Sequence, residues 1–212
     1  MRTFSLFSVL LMVTGFACAQ PGEFETAFID NGRAIAIVAY NGNNSTVIIP
    51  DRINGLPVTV IRFNAFLEKG LTGITIPNTV TTIEGRAFFD NQLSSVVIPG
   101  SVTTIGFWAF ARNQLTSVII SNSVTTIERN AFANNRLSSV VIPDSVTSIE
   151  GGAFTGNPIT RITIGANVEL VNRDAMGHGI GNAFDNGFDG FYRSQERRAG
   201  TYTLLNGAWS VR

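Results

Sequence analysis

One pattern constrains this chain more than any other. The stretch "LTSVIISNSVTTIERNAFANNR", residues 115–136, is followed at once by "LSSVVIPDSVTSIEGGAFTGNP", residues 137–158, which restates it nearly position for position. An Ala-Phe pair recurs with its phenylalanine at 66, 88, 110, 132 and 154, each 22 residues after the last, and Met176 after Ala175 holds the next place. Leu71, Leu93, Leu115, Leu137 and Ile159 form a second column. Pairs such as Ile74/Ile76, Val96/Ile98 and Val118/Ile120 follow three and five residues later, and Val80/Ile83 opens two more columns. Self-similarity at a fixed short period is the mark of a stacked-repeat architecture, in which each unit buries its apolar face only against its neighbours.

Each unit opens with a short alternating run rich in β-branched residues, such as Ile74-Thr75-Ile76, closed by Pro77. That combination predicts a strand and its end. Twenty-two residues leave no room for a long helix on the return path, so the Ala-Phe segment is expected to be one helical turn or a bend. Equivalent strands stacked at about 4.8 Å make a parallel sheet along one side of the coil. The phenylalanines then form an internal ladder. A polar column, Asn91, Asn113, Asn135 and Asn157, precedes each leading aliphatic. A buried asparagine at a turn is expected to bond the backbone of the next coil.

The pattern L-x-x-I-x-I-P-x-x-V-T-x-I-x-x-x-A-F resembles the BspA-type, or treponemal-type, leucine-rich repeats, with four near-perfect copies over residues 71–158. The resemblance implies a β-rich solenoid: a right-handed leucine-rich-repeat coil with a parallel sheet on one face and caps at both ends. A longer first unit, "TVIIPDRINGLPVTVIRFNAF", looks like the family's N-terminal repeat, and "AFDNGFDGFYRSQERRAGTYTLLNGAWSVR" like its C-terminal segment. Thr79, Ser101, Ser123 and Ser145 stand where the commonest leucine-rich repeats have asparagine, and hydroxyls are expected to replace that ladder in part. Expected boundaries are an N-terminal cap at 20–45, a solenoid at 46–176 and a C-terminal cap at 177–212. The solenoid units fall near 46–70, 71–92, 93–114, 115–136, 137–158 and 159–176.

Residues 1–19 read differently. Arg2, an apolar run and Ala17-Cys18-Ala19 have the layout of a secretory signal, with Gln20 as the first mature residue. The alternative makes Cys18 a lipidated first residue, although Phe16 and Gly15 depart from the bacterial lipidation pattern. Either way the folded part has no cysteine, and packing rather than disulfides must hold it.

Chemistry is sparse. There is one histidine, His178, with Asp174 four residues before it, and one lysine, Lys69; acids and bases balance at 15 each. No nucleophile triad, metal-ligand cluster or phosphate loop appears, so neither an enzyme nor a cofactor is expected, and the charge balance does not favour nucleic acid. Glu84, Glu128 and Glu150 share a column and are expected to repel one another. "DNGFDGFYRSQE" matches a calcium loop at Asp185, Asp189, Gly190 and Glu196 but fails at Gly187; Phe188, Phe191 and Tyr192 read better as anchors of a cap.

What remains is surface. The residue between the buried aliphatics of each strand points outward: Thr75, Val97, Ile119, Val141 and Thr163, flanked by Gly73, Ser95, Ser117, Ser139 and Arg161. Such a stripe marks a contact surface, although β-branched residues also favour exposed strands for their own sake. Phe107 and Trp108 break columns that otherwise hold Gly, Arg or Asn, which makes Trp108 a second contact candidate. The expected ligand-binding residues are therefore Ser95, Val97, Ser117, Ile119, Ser139, Val141 and Trp108. BspA-type repeats imply adhesion to a protein or glycan outside the cell, with membrane contact only through a lipid on Cys18. The competing expectation is a structural surface component that associates with copies of itself.

Overall fold

The computed structural model describes residues 21–172, 179 and 181–212. The signal segment with Cys18, and the positions Asp174, Ala175, Met176 and His178, lie outside the described residues. The chain is a β-solenoid whose coils stack in register. The first strands of the coils are Thr46–Ile48, Gly73–Thr75, Ser95–Val97, Ser117–Ile119, Ser139–Val141 and Arg161–Ile164. They pair in parallel two by two, with Val96 opposite Val118 and Val140 opposite Ile162. Each is three or four residues long because proline or a turn closes it at once, as Pro77 does after Ile76.

The coils carry a second strand that the alternation did not announce. Thr82–Ile83, Thr104–Ile105, Thr126–Ile127, Ser148–Glu150 and Glu169–Val171 pair in one unbroken parallel ladder. Leu56–Ile61 and Ala34–Tyr40 extend this ladder at its N-terminal end, and Phe24–Ile29 closes it as an antiparallel edge. The extra residues of the first unit form a hairpin, Arg52–Ile53 against Leu56–Ile61. Its turn residues Asn54 and Gly55 both have positive φ, 52° and 79°, which asparagine and glycine adopt at least cost.

The phenylalanine column is a stacked ladder inside the coil. Ring centroids from Phe66 through Phe88, Phe110 and Phe132 to Phe154 lie 5.0–5.5 Å apart with nearly parallel planes. Strand stacking sets that spacing, and the rings follow the backbone repeat. The ladder reaches beyond the 22-residue period at both ends. Tyr40 stacks on Phe66 at 5.5 Å, and Phe184 stacks on Phe154 at 4.8 Å, so the ring next to Phe154 comes from beyond the glycine-rich interruption. Around the rings, Leu71, Leu93, Leu115 and Leu137, with Val80, Val102 and Val124, are wholly buried.

The asparagine column satisfies the bends, but it reaches back to the preceding coil, not forward to the next as expected. Asn113 Oδ1 accepts from the Leu93 amide at 3.0 Å, while its Nδ2 donates to the carbonyls of Phe88 at 3.0 Å and Phe110 at 3.1 Å. Asn91 also donates to Phe88 O, and Asn135 also donates to Phe110 O. The carbonyls of Phe88, Phe110 and Phe132 are thereby each shared by two successive asparagines, while Phe66 O and Phe154 O at the two ends each accept from one. The direction follows from geometry: the bend that needs an acceptor is the one already laid down one coil earlier. Hydroxyls do stand in for the missing asparagines of the other face. Ser145 donates to Val124 O at 2.7 Å, Thr79 to Asp51 O at 3.3 Å, and Ser101 to Val80 O, while Ser123 pairs with the Ser121 hydroxyl at 2.8 Å.

The C-terminal lid is a helix, Phe188–Ser194, and a hairpin, Gly200–Leu205 with Ala208–Val211, which lies antiparallel on Arg161–Ile164. Phe188, Tyr192, Tyr202 and Trp209 interlock with ring centroids 5.0–5.8 Å apart and cover the last coil. Tyr192 fixes the lid by donating its hydroxyl to Gly165 O at 2.7 Å.

Candidate functional site

The stripe is present and open. Val97 is 57% exposed, and Ile119 and Val141 are each 62% exposed, while Val96 and Val140 beneath them are buried. Ser95, Ser117 and Ser139 are also exposed, and they run beside the apolar positions because residues two apart point to the same face of a strand. Val97 lies directly opposite Ile119, and Ser95 opposite Ser117. Val141 and Ser139 lie on the next strand pair, opposite Thr163 and Arg161.

Trp108 stands apart from the stripe, in the turn after the second strand. It is half-buried and packs edge-on against Phe89 at 5.7 Å, with φ at 58°. The equivalent positions of the neighbouring coils, Asn64, Arg86, Asn130 and Gly152, are all left-handed too. A left-handed turn is therefore built into every coil, and Trp108 occupies a place where asparagine or glycine is the easy choice. Phe89 also lies beneath two guanidinium groups, Arg86 at 5.3 Å and Arg112 at 5.7 Å from its ring centre.

The glutamate column has a structural use that its repulsion concealed. Glu84 accepts from the Phe63 amide at 2.9 Å, Glu128 from the Phe107 amide at 2.8 Å, and Glu150 from the Arg129 amide at 3.0 Å. Each carboxylate caps a turn of the preceding coil. Repulsion is present as well. Burial holds the Glu128 carboxyl above the usual range, the Phe107 amide opposes that, and Glu150 adds to it.

Gly106 interrupts the column. A side chain there would meet the backbone of residues 83–85 at 2.6–2.7 Å, so the position admits no Cβ. The next column, also glycine at residue 85, leaves a space that the Phe107 ring fills, its nearest carbon 2.4 Å from where a Cβ would stand. Phe63, two repeats before Phe107, leans into the same space, and the two rings lie 5.9 Å apart. The result is a cleft of about 310 Å³ along the second-strand edge, walled by the two rings and by Glu84 and Glu128. Sequence reading singled out Phe107 and missed Phe63. The signal was available, since 63 and 107 differ by two periods of 22 residues.

The calcium-loop reading does not hold. Asp185 accepts from Thr155 Oγ1 and the Gly156 amide, both at 2.6 Å. Asp189 is wholly buried and accepts from the amides of Ala183 at 2.7 Å and Phe184 at 3.0 Å. Burial pushes its carboxyl above the usual range, with those amides and Arg193 opposing the shift. Both carboxylates pin the lid to the last coils and are not free to converge on an ion. Arg193 likewise donates to Leu170 O at 2.6 Å and belongs to the lid.

Residues 59–178 match the BspA-type leucine-rich-repeat region in six copies, and the chain belongs to that family. Among solved structures it is similar to a leucine-rich repeat protein of T. pallidum, at 25% identity and a TM-score of 0.55, covering 66% of this chain and 78% of that one. It is also similar to a leucine-rich repeat protein of Bacteroides ovatus, at 26% identity and a TM-score of 0.60 over 67% of this chain. The match spans 40% of the Bacteroides chain. No curated protein sequence matches. The repeat fold of this family is a scaffold for binding, and the matches include no enzyme family. No helix among the described residues is long and apolar enough to cross a membrane.

Proposed function

We propose that the protein is a secreted or cell-surface binding module that holds a protein or glycan ligand against its repeat sheet, in the manner of an adhesin. The observation that carries this reading is the row Val97, Ile119 and Val141, large apolar side chains more than half exposed on a rigid sheet. Isolated surface aliphatics need no explanation, but a row of them on equivalent positions is a patch, and patches of that kind mark contacts. The five outward positions from Thr75 to Thr163 span four coil spacings, about 19 Å at ordinary strand separation. Binding requires no catalytic group, which agrees with carboxylates that serve as turn caps.

The test is binding of the purified protein to an array of extracellular proteins and glycans beside a Val97→Asp/Ile119→Asp/Val141→Asp variant. All three substitutions are on exposed positions, so the variant should keep the wild-type circular dichroism spectrum. Loss of binding with the fold intact supports the stripe as the contact surface, whereas equal binding by both proteins refutes it. The same row is self-complementary, and a stripe that pairs with a second copy is the competing reading. A molecular mass that rises with concentration favours it, and a monomer at high concentration excludes it.

A further inference from the structure

From the cleft at the second-strand edge we infer that the protein takes up a single arginine side chain of a protein ligand against the exposed surface of the Phe63 and Phe107 rings, with its guanidinium on Glu128. This inference rests on the binding role proposed above and narrows the ligand class from protein or glycan to a protein with an exposed arginine.

Three features of the site lead there. The first is shape. At about 310 Å³ the cleft is at the bottom of the range for ligand pockets and suits one side chain better than a folded surface. Its floor is Gly85 and Gly106 in neighbouring coils, and Gly106 stands where Glu84, Glu128 and Glu150 stand in other coils, so it is a local departure from the repeat. The second is the pair of rings. Phe63 and Phe107 are 45% and 43% exposed, lean on each other at 5.9 Å with a 38° tilt, and leave the rest of their ring surface open to the cleft. Exposed phenylalanines attract planar cations, and guanidinium stacks on them more readily than ammonium does.

The third is charge. Glu84 is already paired with Arg62 at 2.8 Å. Glu128 accepts the Phe107 amide through one oxygen, and no described residue forms an ion pair with it. Its other oxygen is free to receive a donor, and a second carboxylate, Glu150, adds to the negative field. A half-buried carboxylate beside two exposed aromatic rings is complementary to a cation on an apolar stem. The chain uses the same pairing internally where Arg86 and Arg112 cover Phe89.

The experiment is a nuclear magnetic resonance titration of the isotope-labelled protein with acetyl-arginine-methylamide, and in parallel with acetyl-citrulline-methylamide, which is nearly isosteric and uncharged. The expected result is a saturable shift of the Phe63, Phe107 and Glu128 resonances with arginine. Citrulline should bind about tenfold more weakly, the loss of one charge-assisted contact. Glu128→Gln should weaken arginine binding by a similar factor, while the stripe variant Val97→Asp/Ile119→Asp/Val141→Asp leaves it unchanged. Equal shifts with arginine and citrulline overturn the inference, as does the absence of any shift in the cleft. A maltooligosaccharide that shifts these resonances when arginine does not makes the cleft a glycan site and also overturns it. Because the stripe variant retains the cleft, loss of ligand on the stripe and loss of arginine in the cleft are separate results.

Discussion

The asparagine column makes the sharpest claim about what holds the stack together, and Asn113 in its middle tests that claim. In Asn113→Ala, Phe88 O keeps its bond from Asn91 and Phe110 O keeps its bond from Asn135, so neither carbonyl is orphaned. The Leu93 amide loses its acceptor in a buried turn. An orphaned buried donor costs roughly 1–3 kcal/mol and each of the two lost shared bonds about 0.5–1.5 kcal/mol, which places the variant about 2–6 kcal/mol below wild type. Asn113→Asp keeps an acceptor for Leu93 but turns a carboxyl oxygen toward the carbonyls of Phe88, Phe110 and Ala111, all within 3.0–3.3 Å. Burial and those oxygens raise the new carboxyl's pKa in the folded state. A raised folded pKa gives stability that is complete below the unfolded value, about 3.9, and is lost as pH rises through the folded value. The assay is urea unfolding followed by circular dichroism from pH 4 to pH 8. Asn113→Asp should lose stability with a slope approaching about 1.4 kcal/mol per pH unit, against a flat difference for Asn113→Ala. A flat profile for Asn113→Asp, or a cost below about 1 kcal/mol for Asn113→Ala, refutes the ladder as a structural element.

Three further perturbations probe the same coils. Phe110→Ala removes a ring stacked on both sides and should cost about 3–5 kcal/mol in chemical denaturation, since a mid-stack cavity has no loop to collapse into. Trp108→Asn exchanges edge-on packing against Phe89 for relief of a left-handed bulky residue worth about 1–2 kcal/mol, so its melting temperature should stay within about 5 °C of wild type. A carbon-detected titration of Glu128 should show a midpoint above that of ordinary glutamates, with burial as the main cause. Glu150→Gln should lower that midpoint, because one repelling charge is gone, and an unmoved midpoint contradicts the column geometry.

The periodicity made the first strands, the aliphatic columns and both ladders readable, because a buried position repeated every 22 residues can hide neither its size nor its polarity. What escaped it has physical causes. Tyr40 and Phe184 join the ring ladder from 26 residues before Phe66 and 30 after Phe154, where cap geometry and not the period sets the spacing. The second-strand ladder is only two or three residues wide per coil, too short for alternation to announce it. The stripe residues could be named in advance because strand alternation fixes which side chains face outward. The cleft could not, because it depends on two glycines in adjacent coils and on which side chains lean into the space they leave. The glutamate column was read for its mutual repulsion, whereas its oxygens cap turn amides one coil back, a relation visible only once the coils are stacked.

The most direct test of the account's central claim is a methyl nuclear magnetic resonance spectrum of the protein, recorded as its strongest array ligand is added. The account predicts that the exposed methyl groups of Val97, Ile119 and Val141 shift or broaden first, while those of buried Val96, Ile98 and Val140 respond weakly if at all. Shifts confined to the C-terminal lid, around Leu205 and Val211, with the stripe methyls unmoved at saturation, would contradict it.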